Sequence, residues 1–255
     1  MNVRRNLPTL AIVTLAALAA GSAQAYATYS GIDGNGNATR LLTTPNSAAA
    51  ENSFKSNLTG AGTETFESQA PGAVAPLALN FGAAGTATLS GGGGQVMATS
   101  ANSISLGRYS VPGGTNYWDV TASTSNSFRV DFSQDIAAFG FYGIDIGDFN
   151  GTVQLELLNG GGMTIGTFNV PAAAQGAANG SVLYFGLIAG NSSELFRTVR
   201  FNTILPPGST QTDVFGFDSF TIGSQQQVGR VPEPGSLALV GAALLSLSLL
   251  QRRRA

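Results

Sequence analysis

The chain has 255 residues, with 12 lysines and arginines against 14 carboxylates, and it contains neither cysteine nor histidine. Those absences exclude disulfides, thiolate chemistry, the commonest general base and metal ligand, and the serine–histidine–aspartate triad. Between residues 26 and 230, seven basic residues stand against thirteen carboxylates, a net charge of −6 with no basic run, so nucleic acid is a poor partner.

In chain order, Arg4 and Arg5 precede an apolar stretch over 7–20, interrupted by Pro8 and Thr14. Ala23-Gln24-Ala25 then supplies a small-x-small site, so residues 1–25 read as a signal peptide cut by signal peptidase after Ala25. The run is too short, and ends too cleavably, for a second membrane span. Residues 26–63 are polar and rich in Asn, Gly and Ala, with weak periodicity. They are expected to form a partly ordered lead-in.

From residue 64 to 223 the apolar runs become short. Phe128, Val130 and Phe132 alternate with Arg129 and Asp131; Val153, Leu155 and Leu157 alternate with Gln154 and Glu156. A period of two places one face in a core and the other in water. Further strands are expected over 77–81, 86–89, 95–99, 117–121, 138–144, 164–170, 182–188, 196–202 and 215–222. Gly91 to Gly94 reads as a flexible turn, and Asn150-Gly151 as a hairpin, because both residues tolerate positive φ. Roughly a dozen strands at spacings of about 8–12 residues predict a single all-β domain, a β-sandwich or jelly roll. Residues 224–230 read as a linker.

Val231-Pro232-Glu233-Pro234 follows, then an apolar run over 237–250, then Arg252-Arg253-Arg254. Each proline lacks an N–H and locks φ, so helix cannot propagate back through Glu233. Residues 235–250 carry no charge and no proline, and span roughly 24 Å as a helix. That is slightly short of a hydrocarbon core of about 30 Å, a gap that snorkelling arginines narrow. The arginines also hold their end in the cytoplasm, which puts the domain on the exported side. A buried core helix seldom ends in three bare arginines, and an ordinary tail anchor needs no Pro-Glu-Pro at its entrance.

The three parts of residues 231–255, in this order, resemble the PEP-CTERM sorting tail recognised by exosortases of Gram-negative bacteria. The resemblance implies a transient inner-membrane intermediate, cleavage near Pro232-Glu233-Pro234, and delivery to the cell surface, outer membrane or extracellular matrix. Phe139-Gly140-Phe141-Tyr142-Gly143, Tyr184-Phe185-Gly186-Leu187 and Val214-Phe215-Gly216-Phe217-Asp218-Ser219-Phe220 resemble the β-sandwich ectodomains found ahead of such tails. Their aromatic–glycine pairs suit strands on which a ring needs a glycine beside it.

Three kinds of site remain to weigh. For hydrolysis of a glycan, Asp145 and Asp148 are the nearest carboxylate pair, but a strand end points them apart and they also read as turn residues. For a metal, only oxygen ligands are present, which favours calcium. Asp33-Gly34-Asn35-Gly36-Asn37 begins like a calcium loop, yet Ala38 and Thr44 stand where glycine and glutamate belong. Glu67 and Asp218, at opposite ends of the domain, resemble the paired acids that share a structural calcium in jelly-roll carbohydrate-binding modules; the alternative is that both face solvent. For a sugar, Tyr117 and Trp118 either stack on a pyranose, with Asn116 or Asp119 bonding its hydroxyls, or lie in the core, the commoner place for a sole tryptophan. The expected function is a structural or adhesive protein of an exopolysaccharide or biofilm matrix, not an enzyme. The alternatives are a calcium-stabilised carbohydrate-binding module and, more remotely, a glycoside hydrolase.

Overall fold

A computed structural model describes residues 26–122, 127–147, 150–174, 176–209 and 213–229. The cleavage site at Ala23 and Ala25, the motif Val231-Pro232-Glu233-Pro234, the apolar run and Arg252 to Arg254 lie outside the described residues. Among the described residues, no helix is long and apolar enough to cross a membrane.

The domain is a sandwich of two antiparallel sheets. Its strands are β1 (Ala27–Asp33), β2 (Gly62–Glu64), β3 (Leu77–Asn80), β4 (Thr86–Gly91), β5 (Gln95–Ala98), β6 (Asn116–Ala122), β7 (Phe128–Ile136), β8 (Ala138–Ile144), β9 (Thr152–Leu158), β10 (Thr164–Asn169), β11 (Val182–Ile188), β12 (Phe196–Ile204) and β13 (Asp213–Gly223). A seven-stranded sheet runs β1-β11-β8-β13-β6-β5, with β2 beside β13; a six-stranded sheet runs β10-β9-β12-β7-β4-β3. Among the described residues two α-helices are added, α1 (Pro45–Lys55) and α2 (Ala101–Ser105).

The two sheets differ in how their faces are used. In the six-stranded sheet, β4, β7 and β9 alternate buried and accessible residues, so its outer face meets water. In the seven-stranded sheet, every residue of β8 and β11 is buried. Its inner face joins the sandwich core with Phe139, Phe141, Phe185 and Phe217, while its outer face packs Tyr142, Tyr184 and Ile188 against Ala50 and Phe54 of α1. Gly140 and Gly186 lie opposite each other in register and form a notch for that helix. A Cβ on Gly186 would stand 2.7 Å from the Phe54 ring, and one on Gly140 would stand 2.2 Å from the Tyr184 hydroxyl oxygen. The glycines beside aromatic residues therefore hold rings above their own Cα atoms.

Three expectations change. Residues 26–63 are part of the domain, not a partly ordered lead-in. β1 pairs along its length with β11, and α1 buries Phe54, whose removal from water is worth about 1.5–3 kcal/mol. Weak periodicity concealed them, because β1 is an edge strand and α1 buries only Ser47, Ala50 and Phe54. Asn150 does take positive φ, at 53°, but the strands it separates do not pair. β8 and β9 belong to different sheets, so this turn is a crossover and not a hairpin. The Gly91–94 run likewise crosses from β4 in one sheet to β5 in the other. It is a packed element rather than a flexible turn, since a Cβ on Gly94 would lie 2.6 Å from the Trp118 ring.

Candidate functional site

The bond pattern of β13 explains why Glu67 and Asp218, distant in sequence, meet. The first half of β13 pairs with β6, from Asp213 to Phe217, and the second half with β2, from Phe220 to Ile222. Between these halves the ladder on the β8 side also shifts register, and Ser219 takes φ 51°. Such a bulge re-aims a side chain. It buries the Asp218 carboxylate beneath the loop between α2 and β6, and β2 delivers Glu67 beside the same loop. Glu67 raises the Asp218 pKa by charge repulsion.

Both carboxylates serve that loop. The Val111 N–H donates to Asp218 Oδ2 at 3.0 Å, and the Ser219 N–H to Oδ1 at 2.6 Å. Thr115 and Asn116 donate their N–H groups to Glu67 Oε1 at 2.7 and 2.8 Å. Arg40 satisfies the loop's acceptors. Its Nη2 donates to the carbonyls of Ser110, Val111 and Gly114 and to the Ser110 hydroxyl, at 2.9–3.2 Å. Arg108, at the loop's start, bonds both oxygens of Asp119. Glu67, Asp218 and Arg40 thus latch one loop, and the Arg108–Asp119 pair fixes its start. Burial pushes Asp218 up to about 7 against the pull of its Val111 and Ser219 donors. Burial also raises Asp119, and the Arg108 charge offsets part of that rise.

These residues do not fit calcium. The cation needs six to eight oxygens, but here N–H groups point at the two carboxylates and a guanidinium takes the loop carbonyls. Among the described residues no group of three acidic side chains converges. The expectation of a metal at Glu67 and Asp218 is corrected in its purpose: the acids do come together, as a hydrogen-bonded latch. Arg40 went unrecognised in the sequence because the bonds that define it are to backbone carbonyls more than sixty residues away.

The calcium-like segment at residues 33–37 is also committed to the fold. Asp33 accepts the N–H groups of Asn46 and Ser47 at 3.0 and 2.8 Å, and so caps the first turn of α1. Asp145 is 3% exposed and accepts the Gly180 N–H at 2.8 Å, while Asp148 lies outside the described residues. Tyr117 and Trp118 are each 0% exposed. Trp118 packs in the sandwich core beside Phe128, so neither ring presents a face to a sugar. Their position on β6, an inner strand of the sheet, decides this.

The exit from the domain is anchored. Residues 224–229 form no free linker. Thr59 donates its N–H to the Gln227 carbonyl at 2.7 Å, Val228 bridges to Leu58, and Gly229 donates to the Asn57 carbonyl at 2.7 Å. Gly229, the last described residue, is still docked, and a match to the PEP-CTERM protein-sorting motif runs over residues 230–254.

The chain carries a PEP-CTERM sorting motif. The motif implies export, membrane-anchored sorting to the cell surface and processing by an exosortase. No curated protein matches the chain. Among solved structures it is similar to the K2 cleaved adhesin domain of Lys-gingipain, at 14% identity and a TM-score of 0.37, over 64% of this chain and 97% of that one. It is also similar to TmCBM61 in complex with β-1,4-galactotriose, at 15% identity and a TM-score of 0.29, over 55% and 88% of the two chains. A third is the arabinose-bound MgGH51 α-L-arabinofuranosidase, at 13% identity and a TM-score of 0.35; the match covers 65% of this chain but only 26% of that one. Likeness at this level carries no functional argument.

Proposed function

We propose that this is an exported surface or extracellular-matrix protein that an exosortase cuts at Pro232-Glu233-Pro234. Its sandwich has a structural or adhesive role in an exopolysaccharide or biofilm matrix and no catalytic one. The observation that carries the reading is the junction: a folded domain docked as far as Gly229, followed at once by the sorting motif. The buried carboxylates agree with a non-catalytic role. Asp33, Glu64, Asp145 and Asp218 each accept backbone N–H groups, so their oxygens are committed to the fold. Replacing Pro232, Glu233 and Pro234 with alanine in the producing cell should trap the uncut protein in the inner membrane. Release at the wild-type rate and size would refute the sorting reading.

A further inference from the structure

The seven-stranded sheet is covered by α1, but among the described residues no helix packs on the outer face of the six-stranded sheet. Across that face one register row reads Ser90 on β4, Arg129 on β7, Arg200 on β12 and Glu156 on β9. Arg129 and Arg200 are thus direct cross-strand neighbours. Like charges in that relation are destabilising. Each arginine meets one acid on a different side: Arg129 Nε lies 2.8 Å from Asp131 and Arg200 Nη1 2.7 Å from Glu156. Arg129 Nε also donates to Ser90 Oγ at 3.3 Å. The remaining guanidinium nitrogens, two on each residue, make no hydrogen bond among the described residues. Both side chains are accessible, at 53% and 35%. Beside them lies a cleft of about 340 Å³, lined by Ser90, Ser127 and the two arginines. A second, separate groove of about 580 Å³ lies on the same sheet, lined by Thr88, Asp131 and Asn80 among others.

Two planar guanidinium forks beside a cleft match a carboxylate, which accepts paired N–H bonds in one plane. The hydroxyl and amide groups lining the second groove match a polyhydroxylated chain. We propose that this face binds a carboxylate-bearing polysaccharide, with Arg129 and Arg200 clamping the acid group of one sugar. The exported segment is net negative, so its long-range field does not draw in a polyanion. Affinity therefore comes from contact with the clamp.

The inference rests on the matrix reading above, but it is tested separately from sorting. The full chain, purified in detergent, is titrated with polygalacturonate and with neutral dextran. Saturable binding to polygalacturonate alone is expected, weakened at least about tenfold in R129Q/R200Q and unchanged in R197Q, an arginine of the same sheet outside the cleft. Nitrogen NMR of the arginine Nε–H groups provides a second measurement on the unaltered protein: oligogalacturonate should shift Arg129 and Arg200 and leave Arg197 in place. No binding by the wild type, equal binding to dextran, undiminished binding by the double variant, or shifts elsewhere would each overturn the clamp. Export and cleavage that proceed normally alongside such a result would leave the sorting reading standing.

Discussion

Asp218→Asn tests the latch through pH. The Asp218 carboxyl is pushed from 3.8 to about 7 in the folded protein, chiefly by burial. Between those values the native state holds a proton that the unfolded chain has released, so raising the pH favours unfolding. The stabilisation is therefore complete below about pH 4 and lost as pH rises through about 7. At about 1.4 kcal/mol per pH unit, the full excursion is on the order of 4 kcal/mol. Asparagine does not titrate, but its amide cannot accept both the Val111 and Ser219 N–H groups on two oxygens. It should cost about 1–3 kcal/mol at low pH, where the wild type enjoys its full stability. Urea unfolding at intervals from pH 4 to pH 8 gives both curves. The wild-type curve should fall relative to the variant, and the gap between them should close or reverse above pH 7. Taking the difference cancels the contributions of Asp119, raised by its own burial, and of Glu156, lowered chiefly by its hydrogen bond from Thr164. Parallel curves would refute the reasoning, because they would mean that the buried carboxyl has the same proton affinity in both states.

Other consequences are equally direct. Phe54→Ala should cost about 3–5 kcal/mol, because the ring fills the notch over Gly140 and Gly186. Gly186→Ala should also destabilise, and less so in the Phe54→Ala background, where its methyl group has room; additive losses in a double-mutant cycle would sink the notch. Trp118 is wholly buried, so iodide should leave its fluorescence unquenched until urea unfolds the domain. Arg40→Met should lower the Tm by releasing the loop carbonyls, and saturating calcium should leave the wild-type Tm unchanged; a rise with calcium would show that the Glu67–Asp218 region takes a metal after all.

Much of the architecture was legible without coordinates because it depends on short-range periodicity. Alternation at 128–132 and 153–157 marked strands with one wet face. The apolar runs at 138–144 and 182–188 became strands buried on both faces, with glycines where rings lie close. β1 and α1 escaped notice because their stability comes from partners far along the chain: β11 for the strand, and the glycine notch of β8 and β11 for the helix.

The sorting address is similarly local. Two prolines, an apolar run and three arginines act through conformational restriction, hydrophobicity and charge, each readable from adjacent residues. What Glu67, Asp218 and Trp118 do was open in one dimension, because burial and pairing are relations between strands. The bulge in β13 and its change of partner from β6 to β2 turned two acids into a loop latch. The placement of β6 inside the seven-stranded sheet, between β13 and β5, turned a potential sugar platform into core. The same cross-strand register set Arg129 beside Arg200, a pairing that sequence spacing does not encode because β7 and β12 are joined only by hydrogen bonds.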